Sequence, residues 1–166
     1  MVGYTETLTD PSYSGQILTL TYPLVGNYGV PDPSIKDKDG ISSFFESNKI
    51  QIRGLVVHEL SLSASHWNML MTLDEWMYNE KIPGISGIDT RAVTKNLRQG
   101  GVKMAALVVS DTEINVEEVK KQLANATHYN SEQFMDTVST KEEIIYGSCC
   151  WTVSRNQLKC PGTKYK

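Results

Sequence analysis

The stretch IQIRGLVVHEL, residues 50–60, limits the fold more than any other, because its centre Gly54-Leu55-Val56-Val57 is apolar without alternation. A half-exposed strand alternates apolar and polar positions, whereas a continuous apolar run calls for cover on both faces. Elements that could give this cover flank it. QILTLTY, 16–22, alternates with β-branched support and reads as a half-buried strand stopped by Pro23. Residues 23–40 hold three prolines and the charge run KDKD, which predicts a surface loop. Residues 41–48 are expected to form a short helix around Phe44 and Phe45. From Ser65 the spacing turns helical, with Leu70, Leu73, Trp76 and Met77 on one face of a segment ending near Glu80.

IPGISGI, 82–88, reads as a short buried strand, and Asp89 is placed to cap a helix over 90–98 by accepting the orphan amides of its first turn. Val93 and Leu97 are expected inward, with Arg91, Lys95 and Arg98 in water and Gly100-Gly101 as the stop. VKMAALVVS, 102–110, reads as a further strand. Residues 111–126 read as an amphipathic helix with Val116, Val119 and Leu123 inward, and 142–153 as a last strand. The alternation predicts an α/β (α+β) unit of four to five strands and three or four helices, occupying residues 1–153. Residues 154–166 are expected to be a linker or disordered tail.

The chain has 166 residues, 40% of them hydrophobic, enough for one core without disulfide or metal staples. Its net charge of −3 gives no field that condenses on phosphates, so a protein or small-molecule partner is expected, with no nucleic acid and no membrane. Cys149, Cys150 and Cys160 form an odd cluster without metal-ligand spacing. No basic-then-apolar leader opens the chain, and no run nears the roughly 18 apolar residues of a membrane helix. A cytoplasmic protein with reduced thiols is expected.

Candidate chemistry is sparse. His58 and Glu59 are adjacent on a strand and point to opposite faces, so they cannot share one proton. His66 precedes Trp67 at a helix start and His128 lies in a polar loop. Gly147-Ser148-Cys149-Cys150-Trp151 holds the first half of a G-x-C-x-G nucleophile elbow, but Trp151 replaces its second glycine and no histidine follows position 128. Gly26-Asn27-Tyr28-Gly29 lacks the lysine of a phosphate-binding loop and reads as a turn needing positive φ. Asp10-Pro11-Ser12-Tyr13 fits a type I turn.

Two longer segments carry a resemblance. MVGYTETLTDPSYSGQILTLTYPLVGNYG, 1–29, resembles the amino-terminal domain of the small (glutamine amidotransferase) chain of carbamoyl-phosphate synthetase. IPGISGIDTRAVTKNLRQGG, 82–101, is similar to that family's Pro-Gly-Ile, Gly-Ile-Asp-Thr-Arg, Leu-Arg signature. GLVV at 54–57, Ser65-His66-Trp67 and Val138-Ser139-Thr140 fall in the same order. The wording TYPLVGNYG is closest to the eukaryotic multifunctional pyrimidine-pathway type.

The resemblance implies a three-layer β/β/α swivelling-type domain that docks the amidotransferase domain and the synthetase large chain. It implies signature positions at Asp10, Pro11, Gly26, Asn27, Gly29, Gly87, Asp89, Thr90 and Arg91, and places Ser12 beside the glutamine pocket. The family makes carbamoyl phosphate from glutamine, bicarbonate and ATP for pyrimidine or arginine synthesis. The catalytic Cys and His-x-Glu pair belong to the next domain, which is absent here, and the family domain begins about thirty-five residues earlier. A non-catalytic domain fragment is therefore expected, with no cofactor of its own, ATP and magnesium being used by the large chain. The alternative is a stand-alone interaction module or a nonfunctional gene fragment derived from this domain.

Overall fold

The computed structural model describes residues 3–38 and 40–141, together with strand residues 144–146, 151–154 and 157–159. It opens on a helix, α1 (Tyr4–Thr9), that the sequence did not announce. Threonines are weak helix formers, and here Thr7 Oγ1 donates to Gly3 O at 2.8 Å and Thr9 Oγ1 to Thr5 O at 2.8 Å, which satisfies the hydroxyls within the helix without strengthening it. Tyr4 and Leu8, one turn apart, are buried on its inner face.

Strand β1 (Ile17–Thr19) pairs in parallel with β3 (Gly54–Val56), and β3 pairs in parallel with β5 (Gly84–Ile85). Ile17 stands opposite Gly54, and Leu55 opposite Gly84. Beyond a short break the same two chains pair again, as β2 (Leu24–Val25) with β4 (Glu59–Leu60). The expected strand 50–60 is thus two short strands, and β2 lies within the stretch expected to be loop. Gly54, Leu55 and Val57 are buried, as cover on both faces requires. By contrast, Gly84 and Ile85 are exposed, so β5 is an edge strand rather than a buried one.

Helix α2 (Leu73–Asn79) supplies the crossover that parallel strands need, and it starts eight residues later than the periodicity suggested. The start is set by a capping box in which Glu75 N donates to Thr72 Oγ1 at 3.2 Å and Thr72 N to Glu75 Oε2 at 2.8 Å. Its Leu73, Trp76 and Met77 join Tyr4, Leu8, Leu20, Val25, Val30, Ile50, Ile52, Leu55 and Val57 in one core. Residues 41–48 form no helix. Phe45 nevertheless packs edge-on against Trp76, with ring centroids 5.5 Å apart.

Helix α3 (Thr90–Gly100) follows the sequence reading, and Asp89 caps it by accepting from Ala92 N at 2.9 Å. Only Thr90 of this helix is buried; Leu97 is 37% exposed, so its expected inward position is not observed. Residues 102–110 form no strand, because a strand exists only where a neighbour pairs with it and none of the described strands does. Leu107 reaches the sheet, its Cδ2 3.1 Å from where a Cβ on Gly54 would lie.

Helix α4 (Val116–Asn125) starts at the Asn115 cap, five residues later than expected, with Val119 and Leu123 half-buried and Val116 exposed. Helix α5 (Met135–Val138) lies in a stretch without a sequence signal. Strands β6 (Ile144–Tyr146), β7 (Trp151–Ser154) and β8 (Gln157–Lys159) form an antiparallel sheet, the last within the segment expected to carry no element. The architecture is mixed α/β with parallel strand pairs at its centre.

Candidate functional site

The Asp10-Pro11-Ser12 turn closes α1 and is a single turn of 3-10 helix, Pro11–Tyr13. Proline presets the backbone angle and Asp10 does the rest: its Oδ1 accepts from Ser12 N at 2.8 Å and from Ser12 Oγ at 2.6 Å. Ser12's hydroxyl, and then its amide, hold the Asp10 carboxyl below the ordinary carboxylate range. Both donors of the exposed Ser12 are therefore committed to Asp10. What Ser12 presents outward is hydroxyl lone pairs, which accept from an N–H rather than bind a carboxylate.

A second Asp-Pro-Ser turn, at Asp32-Pro33-Ser34, repeats this pattern, with Ser34 N donating to Asp32 Oδ1 at 2.8 Å and the Asp32 carboxyl lowered for the same reason. The local geometry is thus a property of the tripeptide. The bracing of the first turn is its own: Gln16 Nε2 donates to Ser12 O at 3.1 Å and to the Tyr129 hydroxyl at 3.2 Å, and that hydroxyl donates to Ser14 O at 3.3 Å. Tyr129 stacks on Phe134 at 4.8 Å, and Phe134 lies over Gly15, where no side chain would fit. Neither Gln16 nor Tyr129 was singled out by the sequence, since a contact spanning 113 positions leaves no local trace. Next to this brace is an open cleft of about 430 Å³ whose lining includes Lys49 and Arg53, with Arg53 Nη2 3.3 Å from Glu132 Oε2.

The other signature residues lie elsewhere. Gly26 and Gly29, at φ of 91° and 67°, bound the turn after β2. That turn is fastened by the Tyr4 hydroxyl, which donates to Gly29 O, and by Ser65 N, which donates to Asn27 O at 3.2 Å. Tyr28 meets His66 edge-on at 5.3 Å. Gly87, at φ 81°, follows β5, where its amide donates to His58 O at 2.8 Å; Asp89 and Thr90 then start α3, while Arg91 is exposed. Helix α1 runs between the first two turns, Tyr4 at the Gly29 end and Asp10 at the other. The signature positions therefore shape the two ends of the parallel strands and do not converge on one cleft.

His58 and Glu59 are exposed, with His58 Nδ1 3.2 Å from Ile88 O, and they form no acid–base pair. Cys149, Cys150, Cys160 and the rest of the Gly147–Cys150 motif lie outside the described residues. No group of three metal-ligating side chains occurs among the described residues, and no helix there is long and apolar enough to cross a membrane.

Comparison with known proteins gives the geometry a context. Residues 1–107 match the family model described as carbamoyl-phosphate synthase small chain, CPSase domain. The carbamoyl phosphate synthase small chain of Pyrococcus furiosus is 43% identical over 146 residues, covering 88% of this chain and 38% of its own length. Multifunctional protein CAD of Squalus acanthias is 49% identical over 149 residues, 88% of this chain and 6% of CAD. The arginine-specific small chain of Aspergillus oryzae is 48% identical over 111 residues, 67% of this chain and 24% of its own length. The chain thus spans well under half of these relatives. Because archaeal and fungal small chains match alongside CAD, the eukaryotic pyrimidine type is not singled out.

Proposed function

The chain belongs to the family of the carbamoyl-phosphate synthase small chain, in its CPSase domain, and from that premise we propose that it acts as a non-catalytic domain of a glutamine-dependent carbamoyl-phosphate synthetase. In this reading it docks an amidotransferase domain and a synthetase large chain in the cytoplasm, in a three-layer β/β/α arrangement. The large chain uses ATP and magnesium, and the product feeds pyrimidine synthesis, as in CAD, or arginine synthesis.

One observation carries the reading to a residue. Ser12 is exposed on a turn fixed by proline, by Asp10 and by the Gln16–Tyr129 brace, so it can border a pocket completed by another domain at little further entropic cost. With both donors turned to Asp10, it accepts a hydrogen bond from the glutamine ammonium. Asp10 adds negative charge behind that contact, which favours a cationic group.

The test is a full-length small chain carrying Ser12→Ala. Loss of one hydrogen bond to a charged group, about 1.5 kcal/mol, is expected to raise the glutamine KM roughly tenfold at unchanged kcat. An unchanged KM removes Ser12 from the pocket. The 166-residue chain alone is expected to release no ammonia from glutamine, and release that Cys149→Ala or Cys150→Ala abolishes would overturn the non-catalytic reading.

A further inference from the structure

Residues 49–53, KIQIR, lead into β3 as extended chain, held by Gln51 N donating to Leu8 O at 2.9 Å and Arg53 N donating to Gln16 O at 2.8 Å. Ile50 and Ile52 are 5% and 1% exposed, and successive side chains of an extended chain point to opposite sides. Lys49, Gln51 and Arg53 therefore share the outer side. There they line the open cleft of about 430 Å³, together with Glu132, Phe134 and Thr137. That volume lies within the range of small-molecule sites.

The cleft holds two cations and one carboxylate. Arg53 meets Glu132 through a single contact, Nη2 to Oε2 at 3.3 Å, which leaves the rest of the guanidinium fork open to a second carboxylate. An exposed pair of this kind holds little free energy, so a ligand can share it at small cost. Lys49 has no ion pair among the described residues. Gln51, between the two cations along the chain, is tethered by its Nε2 to Ser47 Oγ at 2.9 Å. Four residues of extended chain place the Lys49 and Arg53 Cα atoms up to about 13 Å apart, which suits two separate anionic groups better than one.

A phosphate would meet Glu132 as a like charge, and a neutral amino acid would leave Lys49 unmatched. A ligand with two carboxylates and one ammonium matches all three groups. Arg53 and Glu132 are adjacent, as are an α-carboxylate and its ammonium. We propose that this cleft binds a free acidic amino acid, its α-carboxylate on Arg53, its ammonium on Glu132 and its side-chain carboxylate on Lys49. The site uses neither Ser12 nor a second domain, so the proposal stands apart from the family reading above.

The experiment is isothermal titration calorimetry of the 166-residue chain with L-glutamate, L-aspartate, glutarate, L-glutamine and inorganic phosphate. Saturable binding of L-glutamate or L-aspartate below about 10 mM is expected, about tenfold weaker for glutarate, which lacks the ammonium, and for L-glutamine, which lacks the second carboxylate. Lys49→Gln is expected to weaken the acidic amino acid about tenfold and leave L-glutamine unchanged. Glu132→Gln is expected to weaken the acidic amino acid and to strengthen glutarate, because it frees Arg53. Circular dichroism checks the fold; if Glu132→Gln disturbs it, Lys49→Gln, at an exposed position, carries the test.

Absence of saturable binding by either amino acid overturns the proposal. Phosphate bound as tightly as L-glutamate, and lost equally in Lys49→Gln, makes the cleft a general anion site and overturns it too. Binding of L-glutamate that Ser12→Ala abolishes and Lys49→Gln does not belongs to the Ser12 turn; it overturns the cleft and leaves the family reading intact.

Discussion

Replacing Tyr4 by phenylalanine isolates one hydrogen bond on which the Gly26–Gly29 turn depends. Tyr4 is 2% exposed and its hydroxyl donates to Gly29 O, which accepts from no other donor among the described residues. The ring remains in Tyr4→Phe, so no cavity opens. The cost is a net hydrogen bond of about 1 kcal/mol plus part of the penalty of about 1–3 kcal/mol for a buried unsatisfied carbonyl, together about 2 kcal/mol. For a chain of this size that lowers Tm by about 4–8 °C.

Alkaline pH gives the same bond a signature. Burial pushes the Tyr4 hydroxyl up to about 12, whereas an unfolded tyrosine titrates near pH 10. Between these values the unfolded chain has released a proton that the folded chain keeps, so stability falls as pH rises. The advantage of the unmodified protein over Tyr4→Phe is accordingly complete below about pH 10 and is lost as pH climbs through about 12. Urea unfolding of the two proteins at neutral pH and along the alkaline limb reads this directly. Equal midpoints at neutral pH, or a gap that stays constant through the alkaline range, refutes the reasoning.

Gly29→Ala is expected to destabilise by more than about 1 kcal/mol, because φ is 67° and a Cβ would fall 2.3 Å from Met69 Cγ and 2.8 Å from Met71 O; a thermal melt measures it. The Asp10 carboxyl is expected to titrate below ordinary aspartate by NMR and to return toward it in Ser12→Ala, the hydroxyl being the larger cause. Its stabilising contribution is present above the unfolded value and lost as pH falls through the lowered folded value, so the stability difference between the unmodified protein and Asp10→Asn vanishes in strong acid.

The elements legible in the sequence are those specified by their own residues. Helix α3 has Asp89 to cap it and Gly101 at φ 72° to end it, and both signals lie within the helix's own neighbourhood. Helix α2 carries an equally local signal, Thr72-Leu73-Asp74-Glu75, which fixes its start more sharply than the apolar spacing from Ser65. Residues 102–110 have the composition of a strand, but pairing is a relation between two segments and composition describes only one. Helix α1 failed in the opposite sense: its threonines argue against a helix, and it is held by the burial of Tyr4 and Leu8 in a core shared with residues far along the chain.

The candidate site follows the same division. The two Asp-Pro-Ser turns have the same aspartate–serine hydrogen bond and the same shift of the aspartate, so nothing in the tripeptide says which serine faces a ligand. The difference is supplied from Gln16 and Tyr129, and the second of these is more than a hundred residues from Ser12. Without that brace the first turn would still form, since Pro11 and Asp10 suffice for it. It would no longer be held against residues 129–134, and an exposed hydroxyl on an unsupported turn loses on ordering what it gains in one hydrogen bond. Substituting Tyr129 should therefore weaken any ligand at Ser12 while leaving the Asp10 titration unchanged, which separates the position of the turn from its internal geometry.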